Sequence, residues 1–296
     1  MKILISGSHG LVGSALAKAL QQSGDEVLSL VRGKASSSNQ IEWDPKQGLL
    51  SLDSIEGLDT VVHLAGEAIA EGRWSDEKKQ RIRDSRVQGT RLLAEKVAAM
   101  ASPPRVFVSA SAIGFYGNRG DELLTEQSRA GRDFLADVCV EWERATEAVQ
   151  ARGIRTVLAR FGIILSTKGG ALAKMLPPFR MGVGGRVGNG KQWMSWIALE
   201  DVVAGLLHVM KTESVKGAVN FVAPNPVTNA EFTKKLGNAL SRPTIFPIPV
   251  FGIRLAFGEM ADALLLSSQR VKPAVLEASG FEFQYVELSN ALKAIL

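Results

Sequence analysis

The sequence predicts an α/β protein: a Rossmann-like, doubly wound parallel sheet with a smaller, interleaved C-terminal α/β lobe. Two observations predict it. Short apolar runs at 2–6, 26–31 (EVLSLV), 60–64 (TVVHL), 105–110 (RVFVSA) and 155–160 (RTVLAR) alternate with helical patterns at about 11–23, 75–100 and 131–152. Near-continuous apolar strands separated by helices mean a parallel sheet covered on both faces. The second observation is the opening, MKILISGSHGLVG, in which strand, glycine turn and helix start follow one another at once.

The first strand (Ile3, Leu4, Ile5) runs into Gly7, Gly10 and Gly13. Gly7 permits a tight turn, Gly10 allows close approach to the helix backbone, and Gly13 lets helix and strand pack. The free N–H groups at the helix start, around Leu11 and Val12, face negative charge together with the helix dipole. This order makes an anion site for the pyrophosphate of a dinucleotide. His9 lies within the turn as a polar turn residue. The second strand ends Leu30-Val31-Arg32, with no acid at its tip to accept hydrogen bonds from an adenosine ribose. A guanidinium there grips a 2′-phosphate instead, so the expected cofactor is NADP(H), with Arg32 as its determinant. A short strand around 41–43 brings Asp44 toward the adenine, and the 60–64 strand delivers Ala65 and Gly66 beside the cofactor.

The helix at 75–100 carries KKQRIRDSR at 78–86, whose mixed charges read as a solvated face rather than a nucleic-acid stripe. The helix at 131–152 starts near Ser128–Gly131 and is closed by Gly153. After residue 165 a glycine-rich stretch with Pro177–Pro178 reads as loop, with a short helix around 170–176. A helix at 199–211 and a strand at 218–223 resume regular structure, and the tail from 228 is mostly helical with a short strand near 244–248. Residues 1–165 are therefore expected to form the dinucleotide-binding domain, with 196–223 returning to it, and 166–195 with 224–296 the substrate lobe.

A net charge of +5 on 296 residues is too small to suggest a polyanion partner. The single cysteine, Cys139, excludes an internal disulfide, and the three histidines lack ligand spacing, so no metal is expected. The apolar stretch 245–266 is broken by Pro247, Pro249, Arg254, Glu259 and Asp262, and reads as a loop and an amphipathic helix rather than a membrane span. A strand beginning at residue 2 leaves no room for a signal peptide. The expectation is a cytoplasmic monomer or homodimer whose partner is a small molecule, not nucleic acid or membrane.

SGSHGLVG, HLAG at 63–66, RVQGTRLL at 86–93, SASAIGFYG at 109–117, ARFGIIL at 159–165 and WIALEDVV at 196–203 resemble, in order, the extended short-chain dehydrogenase/reductases. These are relatives of nucleotide-sugar epimerases and dehydratases. HLAGEAIAEGRW, MLPPFRMGVGGRVGNGKQWMSWI and EASGFEFQYVELSNAL resemble an NAD(P)-binding epimerase-family subgroup with its own C-terminal domain.

The resemblance implies an Asn, Ser, Tyr, Lys tetrad for redox chemistry, in which the phenol is the acid/base and the lysine lowers its pKa. Ser111 matches the serine, but no Tyr-x-x-x-Lys pair follows it. Alignment with the family puts Cys139 at the tyrosine, Glu143 at the lysine and Arg86 at the asparagine. It also implies cofactor contacts from Ser109 and Phe161. Arg86 and Glu143 are expected to pair across the cofactor cleft. Cys139 reads as a small packed hydrophobe, with a thiol acid as the other reading. Tyr116 is a phenol on the substrate side, and Glu67 a carboxylate facing the nicotinamide. Arg186, Lys191, Gln192 and Trp193 lie in a loop that in relatives closes over the substrate, and suit phosphate pairing and base stacking; Trp196 is expected to pack.

Two functions stay open. One is an atypical NADP(H)-dependent oxidoreductase or epimerase acting on a nucleotide-sugar-like or other small polar carbonyl or alcohol. In it Ser111 orients the substrate oxygen, and Tyr116 or Glu67 moves the proton. The other is a binding protein that kept the cofactor and lost the chemistry, sensing NADPH or regulating a partner.

Overall fold

The computed structural model describes residues 1–53 and 55–296. Its centre is a sheet of strands β1 (Lys2–Ser6), β2 (Glu26–Val31), β3 (Gln40–Asp44), β4 (Leu49–Leu50), β5 (Thr60–His63), β6 (Val106–Ala112), β7 (Arg155–Phe161) and β8 (Gly217–Phe221). Their spatial order is β8-β7-β6-β5-β1-β2-β3-β4. All neighbours are parallel except β3 and β4, which form an antiparallel edge pair. The chain order reverses between β1 and β5, so a crevice opens beyond the carboxyl ends of those two strands. β8 comes from the region after residue 196 and pairs with β7 from Gly217↔Val157 to Phe221↔Phe161.

Apolar helix faces cover both sides of the sheet. Helices Leu11–Gln22 and Leu199–Lys211 bury Leu16, Leu20, Val202, Leu206 and Val209 against one face. Helices Asp76–Ala98 and Glu147–Ala151 bury Leu93, Val97 and Val149, with Trp43, against the other. Each such side chain contributes about 1.5–3 kcal/mol on burial. A separate core under the C-terminal elements joins Leu172, Leu176, Phe179, Trp196, Phe232 and Leu292.

Three elements differ from the sequence expectation. The helix expected at 131–152 is two, Phe134–Arg144 and Glu147–Ala151. Asp133 sets the start, its carboxylate accepting from Ala136 N at 2.9 Å. The break falls at Ala145 and Thr146, where the Thr146 hydroxyl donates to the Glu143 carbonyl at 2.7 Å. The short helix near 170 runs from Gly170 to Arg180 through both prolines, because buried Leu176 and Phe179 hold the last turn against the second core. The strand expected at 244–248 is reduced to one bridge, Val187↔Ile248. Pro243, Pro247 and Pro249 have no N–H to extend it.

Candidate functional site

At the crevice the backbone forms a cradle that excludes side chains. Gly7 has φ +71°, and a Cβ there would lie 2.9 Å from Ala65 N. A Cβ on Gly13 would collide with the Gly7 carbonyl oxygen and lie 2.9 Å from Ser8 Cα. Gly10 is the N-cap of helix Leu11–Gln22 and offers no side-chain cap, while its N–H donates to Gly7 O at 2.9 Å. The helix start thus presents backbone N–H groups and the positive end of its dipole without a side-chain cap, the fit that a pyrophosphate requires. Leu11 packs toward Gly169 and Gly170, and Val12 packs against the core. His9 is exposed, with Nδ1 3.4 Å from Ser8 Oγ.

The opposite wall is pinned by Ser6. Its Oγ accepts from Leu64 N (3.1 Å) and Ala65 N (3.3 Å) and lies 2.6 Å from His63 Nδ1. With both lone pairs used, the hydroxyl proton goes to Nδ1, which leaves the imidazole proton on Nε2. That nitrogen has no hydrogen-bond partner among the described residues. His63 is fully buried, in a T-shaped contact with Trp43, and burial pushes its pKa down to about 4.

Arg32 is exposed at the carboxyl end of β2. Asp44, at the end of the neighbouring β3, accepts from Lys46 N at 2.9 Å and so caps its own turn.

A buried polar row occupies the other half of the sheet. Register pairs Ser111 with Arg160 and Arg160 with Asn220, placing three polar side chains abreast on β6, β7 and β8. Glu143, from helix Phe134–Arg144, descends on this row. Its carboxylate accepts two 2.7 Å hydrogen bonds from Arg160 and one of 2.7 Å from Ser111 Oγ. Arg160 Nη1 donates to Tyr116 Oη at 3.0 Å, and that phenol donates to Asn220 Oδ1 at 2.7 Å. The guanidinium also sits 3.4 Å from the Phe115 ring centroid. Burial works against the Arg160 charge, but the Glu143 hydrogen bonds and charge prevail and hold its pKa above the ordinary value.

This row corrects several expectations. Arg86 does not pair with Glu143. Its guanidinium donates to the carbonyls of Ile82 (3.0 Å) and Glu67 (3.1 Å) and stacks on Trp142, while burial draws its pKa down. Arg160 is nearer Glu143 because the strand register puts it beneath that helix. Tyr116 is fully buried in a small core with Ile113, Leu124, Val222 and Val271, and burial raises its pKa. A phenol so placed neither lines a cleft nor delivers a proton to one. Cys139 is buried and its thiol is pushed up to about 12, first by burial and then by Glu143, which matches a packed side chain rather than an acid. Glu67 accepts from Lys78 Nζ (2.7 Å) and Arg81 Nε (3.1 Å), and the Lys78 bond holds its pKa below the carboxylate range. It stays ionised at neutral pH and cannot donate a proton.

Ser109 is fully buried, its Oγ 3.3 Å from the Ala110 carbonyl. Phe161 is half-buried against Phe221. Gly66 abuts the Arg86 side chain, where a Cβ would lie 3.4 Å from Cζ.

The glycine-rich loop contributes to a cleft of about 430 Å³, lined by Asn118, Asp121, Lys191, Gln192, Arg254 and Ser268 among others. Arg186 and Lys191 are exposed. Gln192 is buried and donates to the carbonyls of Val187 and Leu265. Trp193 is not free for base stacking on both faces: Arg270 covers its ring at 4.4 Å and Asp121 takes its N–H at 2.8 Å. Trp196 is fully buried and packs the second core.

Sequence reasoning missed Arg160, Asn220 and Glu126, whose Oε1 accepts from Asn220 N at 3.0 Å. The signal was there for one of them. Arg160 follows the apolar run Val157-Leu158-Ala159 inside the strand RTVLARF, and a charge buried there calls for an anion.

Residues 3–221 match the model of the NAD dependent epimerase/dehydratase family, and residues 248–295 match a domain of unknown function. An epimerase family protein of Mycobacterium leprae is 43% identical over 290 residues, covering 98% of this chain and 94% of its own. The crystal structure of human epimerase family protein SDR39U1 (isoform 2) with NADPH superposes with a TM-score of 0.91 at 32% identity, over 100% of this chain and 99% of that one. A nucleoside-diphosphate sugar epimerase structure from Corynebacterium glutamicum gives 0.82 at 39% identity, covering 100% of this chain and 58% of that one.

Proposed function

The chain belongs to the NAD dependent epimerase/dehydratase family, and from that premise we propose that it binds NADP(H) and holds it without the phenol–ammonium proton relay of its redox-active relatives. It is then a nucleotide-responsive binding protein. The observation that carries this reading is the buried Glu143–Arg160 pair, which occupies the place where the family resemblance puts the lysine. Supporting the cofactor are the side-chain-free cradle at Gly7–Gly13, the absence of an acid at the β2 tip, and the NADPH in the human relative's structure. In this reading residues 1–165 with 196–223 hold the dinucleotide, and 166–195 with 224–296 cover it.

The backbone N–H groups of the first turn, at Leu11 and Val12, bind the pyrophosphate. Arg32 pairs with the 2′-phosphate, and Asp44 bounds the adenine side. Ala65, Gly66 and Phe161 form the wall toward the nicotinamide, with Ser109 buried behind it. The nicotinamide ring supplies a hydride donor or acceptor when bound. Ser111 Oγ gives its proton to Glu143 and so keeps only acceptor capacity for a ligand hydroxyl. Both carboxylate oxygens of Glu143 are engaged by Arg160. Tyr116 and Cys139 keep their protons buried in the core, and Glu67 is ionised at neutral pH.

One contact favours a second reading, redox chemistry on a nucleotide-sugar-like or other polar alcohol: Ser111 stands within 2.7 Å of a carboxylate that can pull on its proton. Calorimetry and turnover separate the two. NADPH should bind more tightly than NADH, and Arg32→Ala should weaken NADPH alone, by about tenfold to a hundredfold. NADPH oxidation with any of a panel of carbonyl substrates, abolished in Ser111→Ala, would replace the first reading by the second.

A further inference from the structure

The stretch 245–266 reads from sequence as an amphipathic segment, and the structure leaves its apolar side uncovered. Ile245, Phe246, Phe251 and Leu255 are exposed together with Met181 and Val183, each between 61% and 78%. Isolated exposed apolar residues are ordinary, but a contiguous group marks an interaction surface. These six belong to one surface because their two segments are zipped together. Val187 bridges Ile248, Ile248 N donates to Arg186 O at 2.7 Å, and Arg242 Nε donates to Arg180 O at 2.8 Å. A Cβ on Gly185 would collide with the Phe246 carbonyl oxygen.

The charge of the same two segments is one-sided. Residues 161–199 hold Lys168, Lys174, Arg180, Arg186 and Lys191 and no acid; residues 232–258 hold Lys234, Lys235, Arg242 and Arg254 and no acid. The rest of the chain has 26 basic residues against 30 acidic, so the whole positive excess resides here. Arg254 is paired with Asp262 and Lys235 with Glu287, whereas Arg180, Arg186 and Arg242 have no carboxylate within 4.0 Å among the described residues.

From these observations we propose that this surface docks the protein peripherally on an anionic lipid bilayer, with Phe246, Phe251 and Leu255 entering the headgroup–acyl boundary and the arginines pairing with lipid phosphates. Apolar anchors flanked by an excess of cations, with Asp262 neutralising only Arg254, are what an anionic bilayer surface binds. A second copy of the chain fits poorly, since a two-fold interface would set this patch against itself, cation facing cation. Nucleic acid would use aromatic rings for stacking but gains little from Ile245, Leu255, Met181 or Val183. Peripheral docking needs no spanning helix, and among the described residues no helix is long and apolar enough to cross a membrane. It revises the expectation of no membrane partner. Val250 and Arg254 of the same helix line the 430 Å³ cleft, so docking would set the mouth of that cleft near the lipid surface.

Sedimentation of the full chain with phosphatidylcholine vesicles, with and without phosphatidylglycerol, tests the proposal. Partition should be at least about tenfold stronger with phosphatidylglycerol and should fall as NaCl is raised; this arm needs no variant. Phe251→Ser/Leu255→Ser should reduce partition by about a hundredfold while leaving the urea midpoint and NADPH affinity unchanged. Equal partition onto both vesicle types, or none onto either, would overturn it. So would a concentration-dependent dimer lost in that variant, or retention on a polyglutamate resin, where vesicle binding is missing.

Discussion

His63 makes a quantitative prediction about stability and pH. Buried beside Trp43, with Nδ1 bonded to Ser6 and Nε2 without a partner among the described residues, it has its pKa pushed down by burial to about 4, against 6.5 for the free group. Between those values the unfolded chain binds a proton that the folded chain refuses, so stability falls as pH drops. The contribution is fully present above about pH 6.5. It declines by about 2 kcal/mol between pH 7 and pH 5, and by about 3 kcal/mol at pH 4. Protonation would also turn Nδ1 into a donor and compete for Ser6 Oγ, which anchors Leu64 and Ala65 beside Gly7. Acid should therefore loosen the cradle before it unfolds the rest. Urea unfolding of the wild type and His63→Asn at pH 7 and pH 5 measures the effect, because the difference of differences cancels the carboxylates common to both. An equal loss in the two proteins refutes the reasoning, as does an imidazole NMR titration with a midpoint near the ordinary value of about 6.5.

Removing one partner of the buried Glu143–Arg160 pair, by Glu143→Ala or Arg160→Ala, should cost about 3–5 kcal/mol in urea unfolding. Glu143→Leu/Arg160→Met should recover much of that loss, and a double variant as unstable as the sum of the singles would contradict the pairing. Arg86→Ala, which leaves the pair untouched, should cost less than either single. Gly13→Ala would place a methyl group 2.8 Å from the Gly7 carbonyl carbon, so thermal stability and NADPH affinity should fall together; calorimetry showing unchanged binding would count against the cradle. Cys139, with its thiol pushed up to about 12, should resist dithionitrobenzoate in the folded protein and react fully in urea. Rapid native labelling would contradict its burial.

The sequence alone determined the parallel sheet, the glycine turn at its head and the family. Those rest on local facts: apolar runs of strand length, glycines where a Cβ would strike Leu64 or the Gly7 carbonyl, and an Arg32 that ends β2 in place of an acid. It also showed that the tyrosine–lysine pair was missing. It could not show what replaced that pair. Glu143 faces Arg160 rather than Arg86, because Ser111, Arg160 and Asn220 are brought abreast by the register of β6, β7 and β8. Residues so far apart in the chain meet only once the sheet has closed. Tyr116 was equally ambiguous: its phenol is buried by nearby Leu124 and by Val222 and Val271, which come from two distant segments. Periodicity reports which way one element faces, whereas the tertiary packing of other elements decides whether a charged or polar side chain there meets a partner, a ligand or water.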